Sequence, residues 1–122
     1  IRFLLDECIP ELIASGVRSW NDENPDYPLD VVAVGDRDVL PKGTPDPDIL
    51  VWAERAGRVV VSVDYNTMPG FLAAHLAAGR HLPGLLLPRP GKSVAAVVTE
   101  LAIIAHAEHP DNLTDRAKYI PE

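Results

Sequence analysis

The stretch "RVVVSVDYNTMPGF", residues 58–71, decides the fold. It begins with β-branched valines, which are restricted at χ1 and favour an extended strand. The run is apolar on both faces, as expected for a strand inside a parallel sheet that is covered on both sides. It ends at Asp64, where the chain must leave the core. This acid is either a turn residue or part of a functional site, and the rest of the chain has to decide between the two.

Three further apolar runs are typical of strands, and segments with a helical pattern lie between them. With the run at 58–63, the predicted strands cover residues 1–5, 29–34 and 84–87. Apolar residues at helical spacing predict helices over about 9–18, 47–56, 69–78 and 94–107. This alternation predicts an α/β fold, namely a three-layer α/β/α sandwich with a central, mainly parallel sheet.

The chain of 122 residues has room for one domain, which we expect to span residues 1–122. Two segments lie outside the alternating pattern. Residues 19–28 form a long polar stretch that we expect to be a loop. Residues 110–122 follow a proline that stops the last helix, and we expect them to be a loosely packed C-terminal tail.

Composition excludes several classes of protein. A hydrophobic content of 47% excludes a disordered chain, and no apolar run approaches the length of a membrane span. The first residues reach acids too soon for a signal peptide, and a lone Cys8 fits the reducing cytoplasm. The net charge of −7 argues against non-specific nucleic-acid binding, which depends on cations. It leaves open a nuclease whose acids hold a metal ion.

Several acids are predicted to meet at one edge of the sheet. Asp6 and Glu7 follow the first strand, Asp64 follows the third, and Asp46 and Asp48 open the second helix. The carboxyl ends of parallel strands share one edge, where α/β proteins bind their ligands. Clustered carboxylates repel one another unless a cation is present, and Mg²⁺ and Mn²⁺ take carboxylate oxygens. The pattern therefore indicates a metal site.

Each acid also has a structural interpretation. Asp46 precedes a proline and suits an N-cap, while Asp48 suits the positive end of the helix dipole. Asp64 suits a turn, and Glu7 suits a solvated surface position. Asp6 is the hardest to explain structurally, because no turn residue is needed after its strand. Taken singly each acid is more readily structural, whereas taken together they favour a site.

Four basic residues lie in loops that leave the same edge. Arg37 and Lys42 follow the second strand, and Arg89 and Lys92 follow the fourth. Cations beside a metal site are well placed to bind phosphates, which makes these four candidate substrate-binding residues. The alternative is that they are ordinary charged loop residues.

The chain resembles a compact family of PIN-like domains, related to the toxin ribonucleases of bacterial toxin–antitoxin pairs. The resemblance is carried by "FLLDECIP" (3–10), "TPDPDILVWAERAGRVVVSVDYNTMPGF" (44–71) and "PGLLLPRPG" (83–91). It implies an α/β/α sandwich and cleavage of single-stranded RNA that depends on Mg²⁺ or Mn²⁺. By position, it assigns metal binding and catalysis to Asp6, Asp46 and Asp64. It also makes an antitoxin protein a candidate partner.

One position departs from the family pattern. Many relatives carry a further acid two residues after the third one, and this chain has Asn66 there. An amide oxygen can still bind a metal ion, but the negative charge is lost. The weaker candidate ligands are Glu7 and Asp48.

Two other functions stay open. One is a PIN-like module that binds RNA or a protein partner without cleaving it. The other is a phosphoacceptor receiver domain, which needs a hydroxyl after the fourth strand and a lysine after a fifth. The fourth run leads into Pro-Arg-Pro-Gly, and no fifth strand is predicted. The adjacent Ile103 and Ile104 make the last helix apolar beyond one stripe, which suggests a homodimer.

Overall fold

A computed structural model describes all 122 residues and contains a five-stranded parallel sheet with helices on both faces. The strands are β1 (Arg2–Leu5), β2 (Asp30–Ala33), β3 (Arg58–Val61), β4 (Leu85–Pro88) and β5 (Ala117–Ile120). The helices are α1 (Glu11–Glu23), α2 (Asp46–Ala56), α3 (Met68–Ala77) and α4 (Val94–Ala107), with a short 3₁₀ helix at Pro110–Asn112. The predicted α/β sandwich is confirmed. None of the helices has the length and hydrophobicity needed to cross a bilayer.

The core consists of two apolar layers, one on each face of the sheet. Phe3 and Leu5 pack on one face with residues of α1 and α4. Leu4, between them in sequence, packs on the opposite face with residues of α2 and α3. Successive side chains of a strand point to opposite faces, so a strand covered on both faces has to be apolar throughout. This is why the strand sequences are continuous apolar runs rather than alternating ones.

The strand order places the loops after β1 and β3 next to each other. The order is β2-β1-β3-β4-β5, and all neighbouring pairs are parallel. The direction of chain progression reverses between β1 and β3, and such a switch point is where open α/β sheets form a ligand crevice. Asp6 follows β1 and Asp64 follows β3. The sequence therefore positions these two acids at the switch point.

Helix boundaries follow local signals, with one correction. Gly57 ends α2 in the left-handed conformation (φ 66°), and Ser93 caps α4 by accepting a hydrogen bond from the Ala96 N–H at 3.1 Å. The predicted N-cap role of Asp46 is wrong. Pro45 occupies the cap position, Asp46 is the first residue of α2, and no side chain caps this helix. The Asp46 carboxylate is therefore not used as a cap.

The segment predicted as a loop over residues 19–28 is helical up to Glu23. Its remaining residues fold back onto α1. The Trp20 Nε1–H donates to the carbonyl oxygen of Tyr27 at 2.9 Å, and Asn21 exchanges two hydrogen bonds with the backbone of Leu29. Polar side chains of α1 thus satisfy the backbone that leads into β2, which is why the segment is both polar and ordered.

The expectation of a loosely packed tail at 110–122, without a fifth strand, is wrong. β5 pairs with β4 in parallel, and Leu113 and Ile120 are only 2% and 1% exposed. β5 is a short edge strand, "AKYI", in which only Ile120 is buried. One buried residue in four leaves no periodic pattern, which is why this strand could not be recognised from sequence.

A hydrogen-bonded turn at Asp115 anchors the entry to β5. Its carboxylate accepts hydrogen bonds from the Leu82 N–H at 2.8 Å and from His81 Nδ1 at 2.7 Å, and its backbone is left-handed (φ 61°). The bond from Leu82 and the contact with His81 both lower the pKa of Asp115. A carboxyl whose pKa is lowered by folding stabilises the protein above its ordinary pKa, and this contribution is lost as the pH falls.

We expect Asp115→Ala to reduce the free energy of unfolding by about 1–3 kcal/mol, because the Leu82 N–H loses its acceptor and alanine disfavours a positive φ. Asp115→Asn keeps the Oδ1 acceptor and tolerates the left-handed conformation, so its loss should be smaller. Urea denaturation of the three proteins measures both changes. Equal losses for the two variants would contradict the anchoring role of this turn.

Candidate functional site

Asp6 is the most buried acid of the candidate site, with 5% of its surface exposed. One carboxylate oxygen accepts the Glu7 N–H at 2.8 Å, and the other accepts the Ser62 hydroxyl at 2.9 Å. The Cys8 thiol lies 3.5 Å from that second oxygen. These donors offset the cost of burying the carboxylate. A carboxylate has about four lone-pair positions, so about one remains free on Asp6.

Ser62 connects the exits of β1 and β3. Its hydroxyl oxygen donates to Asp6 and accepts the Asp64 N–H at 3.1 Å. The Asp64 carboxylate in turn accepts the Thr67 N–H at 3.2 Å and the Thr67 hydroxyl. The turn predicted at Asp64 is therefore present and leads into α3. The same side chain also lies at the switch point, so its turn geometry and a functional role are compatible.

Asp46 joins this pair from the first turn of α2. Burial raises the pKa of Asp46, and the negative charges of Asp6 and Asp64 raise it further. The Asp64 side chain also raises the pKa of Asp46, and the Thr67 side chain opposes the rise. The structure thus brings together the three acids that were predicted to converge, and their charges repel one another.

The three carboxylates do not form a ready-made metal cage. No group of three or more His, Cys, Asp and Glu side chains is arranged to hold a metal ion. Repulsion between charges acts over several ångströms, whereas ligation requires oxygens at about 2.0–2.6 Å from one point. The two observations are therefore compatible: the three carboxylates repel one another, but their oxygens do not surround a common point. The donor set fits Mg²⁺ or Mn²⁺ in its chemistry, and its present geometry is looser than a coordination sphere.

The other candidate ligands, Glu7, Asp48 and Asn66, have different surroundings. The Glu7 carboxylate accepts the Gly43 N–H at 2.9 Å and so ties the loop after β2 to the end of β1. Asp48 and Asn66 are exposed. At the turn after β3 it is Thr67, not Asn66, that contacts Asp64. None of the three contributes to the charge repulsion that raises the pKa of Asp46.

The four basic residues have different surroundings. Arg37 and Lys92 are exposed on the loops that leave the carboxyl edge. Lys42 lines a cavity of about 190 Å³ together with Asp6 and Glu7. Arg89 is held by a hydrogen bond from its Nε to the carbonyl oxygen of Pro121 at 2.8 Å. Of these four cations, Lys42 therefore shares a cavity with Asp6, and Arg89 is held in place by a hydrogen bond to the backbone.

Ser62, Thr67 and Cys8 belong to the site but were not identified from the sequence. Ser62 is the one polar residue inside the apolar run "VVVSV" and is fully buried, a signal that could have been used. Burial raises the pKa of the Cys8 thiol, with a partly opposing hydrogen bond from Ser62. A raised pKa disfavours the thiolate, which is the nucleophilic form of cysteine.

No protein-family model matches the chain, and neither a curated protein nor a solved structure shows significant similarity to it. The PIN-like resemblance accordingly stays a prediction from the quoted motifs. The function has to be argued from the carboxyl edge of the sheet.

Proposed function

We propose that the protein is a Mg²⁺- or Mn²⁺-dependent ribonuclease of the PIN-like class that cleaves single-stranded RNA in the cytoplasm. The observation that supports this most strongly is the convergence of Asp46 with Asp6 and Asp64, whose charges help to raise its pKa. The three acids come from distant segments and meet at the switch point of the sheet. Their mutual repulsion has no use in folding and would be relieved by a bound cation.

The residues of the site divide into three groups by role. Asp6, Asp46 and Asp64 would hold the cation, which when bound orients a phosphodiester and activates water. Ser62 and the Glu7 N–H orient the Asp6 carboxylate, and Thr67 orients Asp64. The basic loop residues would bind RNA phosphates; they are Arg37, Lys42, Arg89 and Lys92.

Two observations favour a second candidate, a PIN-like module that binds RNA or a protein partner, such as an antitoxin, without cleavage. Most of the lone-pair positions of Asp6 are occupied by protein donors. The site also lacks a ready-made ligand arrangement. Both observations reduce catalytic power without removing the binding surface. Asn66, at the position of a fourth acid in many PIN-like domains, acts in the same direction.

The fifth strand that a receiver domain needs is present, but the hydroxyl and lysine side chains that it needs are not. Arg89, not a hydroxyl residue, follows β4, and Pro121 rather than lysine follows β5. Without these two groups the phosphoacceptor machinery is incomplete. We therefore do not propose phosphotransfer for this chain.

The test is cleavage of a mixed pool of single-stranded RNA by the purified protein with Mg²⁺ or Mn²⁺. We expect products with either ion, none with a chelator, and recovery when the ion is added back in excess. An RNA duplex of the same sequences is the matched control and should be cut much more slowly. Products that persist with the chelator would mean a contaminating nuclease, and binding without cleavage would support the second candidate.

A further inference from the structure

Two stacked tyrosines lie beside the acidic site. Tyr65 directly follows Asp64, and its ring stacks with that of Tyr119 at a centroid distance of 6.0 Å and an interplanar angle of 18°. The Tyr65 hydroxyl donates to the carbonyl oxygen of Pro88, which fixes this ring against the end of β4. Tyr119 on β5 is 43% exposed. An aromatic ring is thus presented to solvent at the same edge of the sheet as the three acids.

Arg89 completes this surface. Its guanidinium carbon lies 5.4 Å from the centre of the Tyr119 ring, within cation–π distance. The Arg89 Nε donates to the Pro121 carbonyl oxygen, and no carboxylate forms an ion pair with the guanidinium. The chain has a net charge of −7, yet none of its acids neutralises this arginine. Its terminal N–H groups are free to meet an anion.

We propose that Tyr119 and Arg89 form a stacking platform for one nucleobase of a single-stranded nucleic acid. Aromatic rings and guanidinium planes stack on unpaired bases, and the charge of arginine attracts the adjoining phosphate. Tyr119 stacks on Tyr65, which follows Asp64 in the chain, so a base stacked here would lie at the same edge of the sheet as the acids. The proposal rests on the proposed function, to which it adds how the substrate is positioned and why it must be single-stranded.

The platform would supply affinity for RNA that the overall charge of the protein does not. A strongly acidic protein cannot hold RNA by general electrostatic attraction. Stacking contributes affinity without net charge and depends little on base identity, since every base has a π-face. We therefore expect binding with little sequence preference and with weaker salt dependence than that of a basic nucleic-acid-binding protein.

The experiment measures binding of a fluorescent single-stranded oligoribonucleotide by anisotropy, in chelator, so that cleavage cannot occur. Tyr119→Leu should weaken binding by about fivefold or more, the lower end of what one base stack contributes. Tyr119→Phe keeps the ring and should bind like the wild type. Arg89→Lys keeps the charge but loses the plane, and should weaken binding by a factor of about 2–5.

Tyr27→Leu is the matched control. Tyr27 is also an exposed tyrosine, at 59%, but it packs edge-on against His106 and not beside the acids. It should not change the dissociation constant. Thermal melts check that each variant is folded. If Tyr119→Leu fails to fold, the comparison of Arg89→Lys with wild type on normal and abasic oligonucleotides decides the question.

Oligonucleotides with abasic positions identify the contact as stacking. Removing the contacted base should weaken wild-type binding as much as Tyr119→Leu does, and the two changes together should not add. Equal binding by wild type and Tyr119→Leu, or no binding of any oligonucleotide by the wild type, would overturn the platform. If Tyr119→Leu weakened binding of normal and fully abasic strands equally, that result would also overturn the platform.

The outcome is separable from that of the nuclease proposal. Tyr119-dependent binding without metal-dependent cleavage would support the platform and contradict the nuclease. Cleavage with the same KM in wild type and Tyr119→Leu would support the nuclease and contradict the platform.

Discussion

Replacing Asp46 by asparagine is expected to stabilise the metal-free protein and, in the same molecule, to reduce metal-dependent RNA cleavage by at least about 100-fold. Burial and the charges of Asp6 and Asp64 raise the pKa of Asp46, so its ionised form is unfavourable in the folded state. Asparagine has nearly the same shape and removes that charge. The two opposite effects are measured by thermal melts in chelator and by the rate of RNA cleavage with Mg²⁺.

The pH dependence of this stabilisation has a defined direction. Because the pKa of Asp46 is raised by folding, the contribution of Asp46 to wild-type stability falls as the pH rises from 3.8, its ordinary pKa, through its raised pKa, and is constant above that. The variant lacks this loss. The melting temperatures of the two proteins should therefore converge at acidic pH and separate towards neutral pH, and a separation that stays constant would contradict the assignment of the charge effect to Asp46.

Asp48→Asn is the matched control, since Asp48 lies in the same first turn of α2 but is exposed. It removes the same charge from the same end of the helix, where an acid favours the helix dipole by about 0.3–1 kcal/mol. We expect a slight loss of stability and unchanged cleavage. A gain in stability from Asp48→Asn would mean that general charge reduction, rather than the cluster, explains Asp46→Asn.

Added Mg²⁺ should stabilise the wild type more than Asp46→Asn. At about ten times its dissociation constant, a ligand stabilises the folded state by about 1.4 kcal/mol. Wild type and Asp48→Asn should show this rise in thermal stability, whereas Asp46→Asn should show much less of it. The same shift in all three proteins would mean that Asp46 does not bind the ion.

Ile120→Ala is expected to lower the free energy of unfolding by about 2–5 kcal/mol, the range for truncating a fully buried isoleucine. Ile120 is 1% exposed and packs in the core layer that contains Phe3 and Leu101. A loss of this size would show that the C-terminal strand is part of the cooperative core. Urea denaturation provides the measurement.

Arg116→Ala is its control, because Arg116 is exposed immediately before β5. Surface substitutions of this kind usually change stability by no more than about 0.5 kcal/mol. If Ile120→Ala were as mild as Arg116→Ala, the C-terminal segment would have to be regarded as peripheral.

The parts of the fold that could be predicted are those in which many residues repeat one signal. β3 and α4 were predictable because most of their residues are apolar, and Ser93 and Gly57 mark helix ends by well-defined chemistry. β5 was not, because an edge strand with one buried residue carries too little information. The extension of α1 was also missed, because its last turn is polar and is stabilised by bonds to a distant backbone segment.

The candidate site was predictable in position but not in detail. The parallel direction of β1 and β3 brings Asp6 and Asp64 to one edge of the sheet. The apolar runs in the sequence, which alternate with helical segments, are enough to predict parallel strands. The roles of Ser62 and Thr67 depend on hydrogen bonds, which form only when donor and acceptor atoms are correctly placed in space. A pattern of residue types does not contain that placement. The burial of Asp6 is likewise a property of the packed molecule.

The interior position of β1 has a consequence for biosynthesis. β1 lies between β2 and β3, and Arg2 is aligned with Asp30 on one side and with Arg58 on the other. A nascent chain can therefore pair its first strand on one side only until β3 has left the ribosome. Until then one row of β1 backbone groups is unpaired and its apolar side chains are incompletely covered. During that interval the open side of β1 is exposed to pairing with other chains, and β3 ends the exposure by occupying that side.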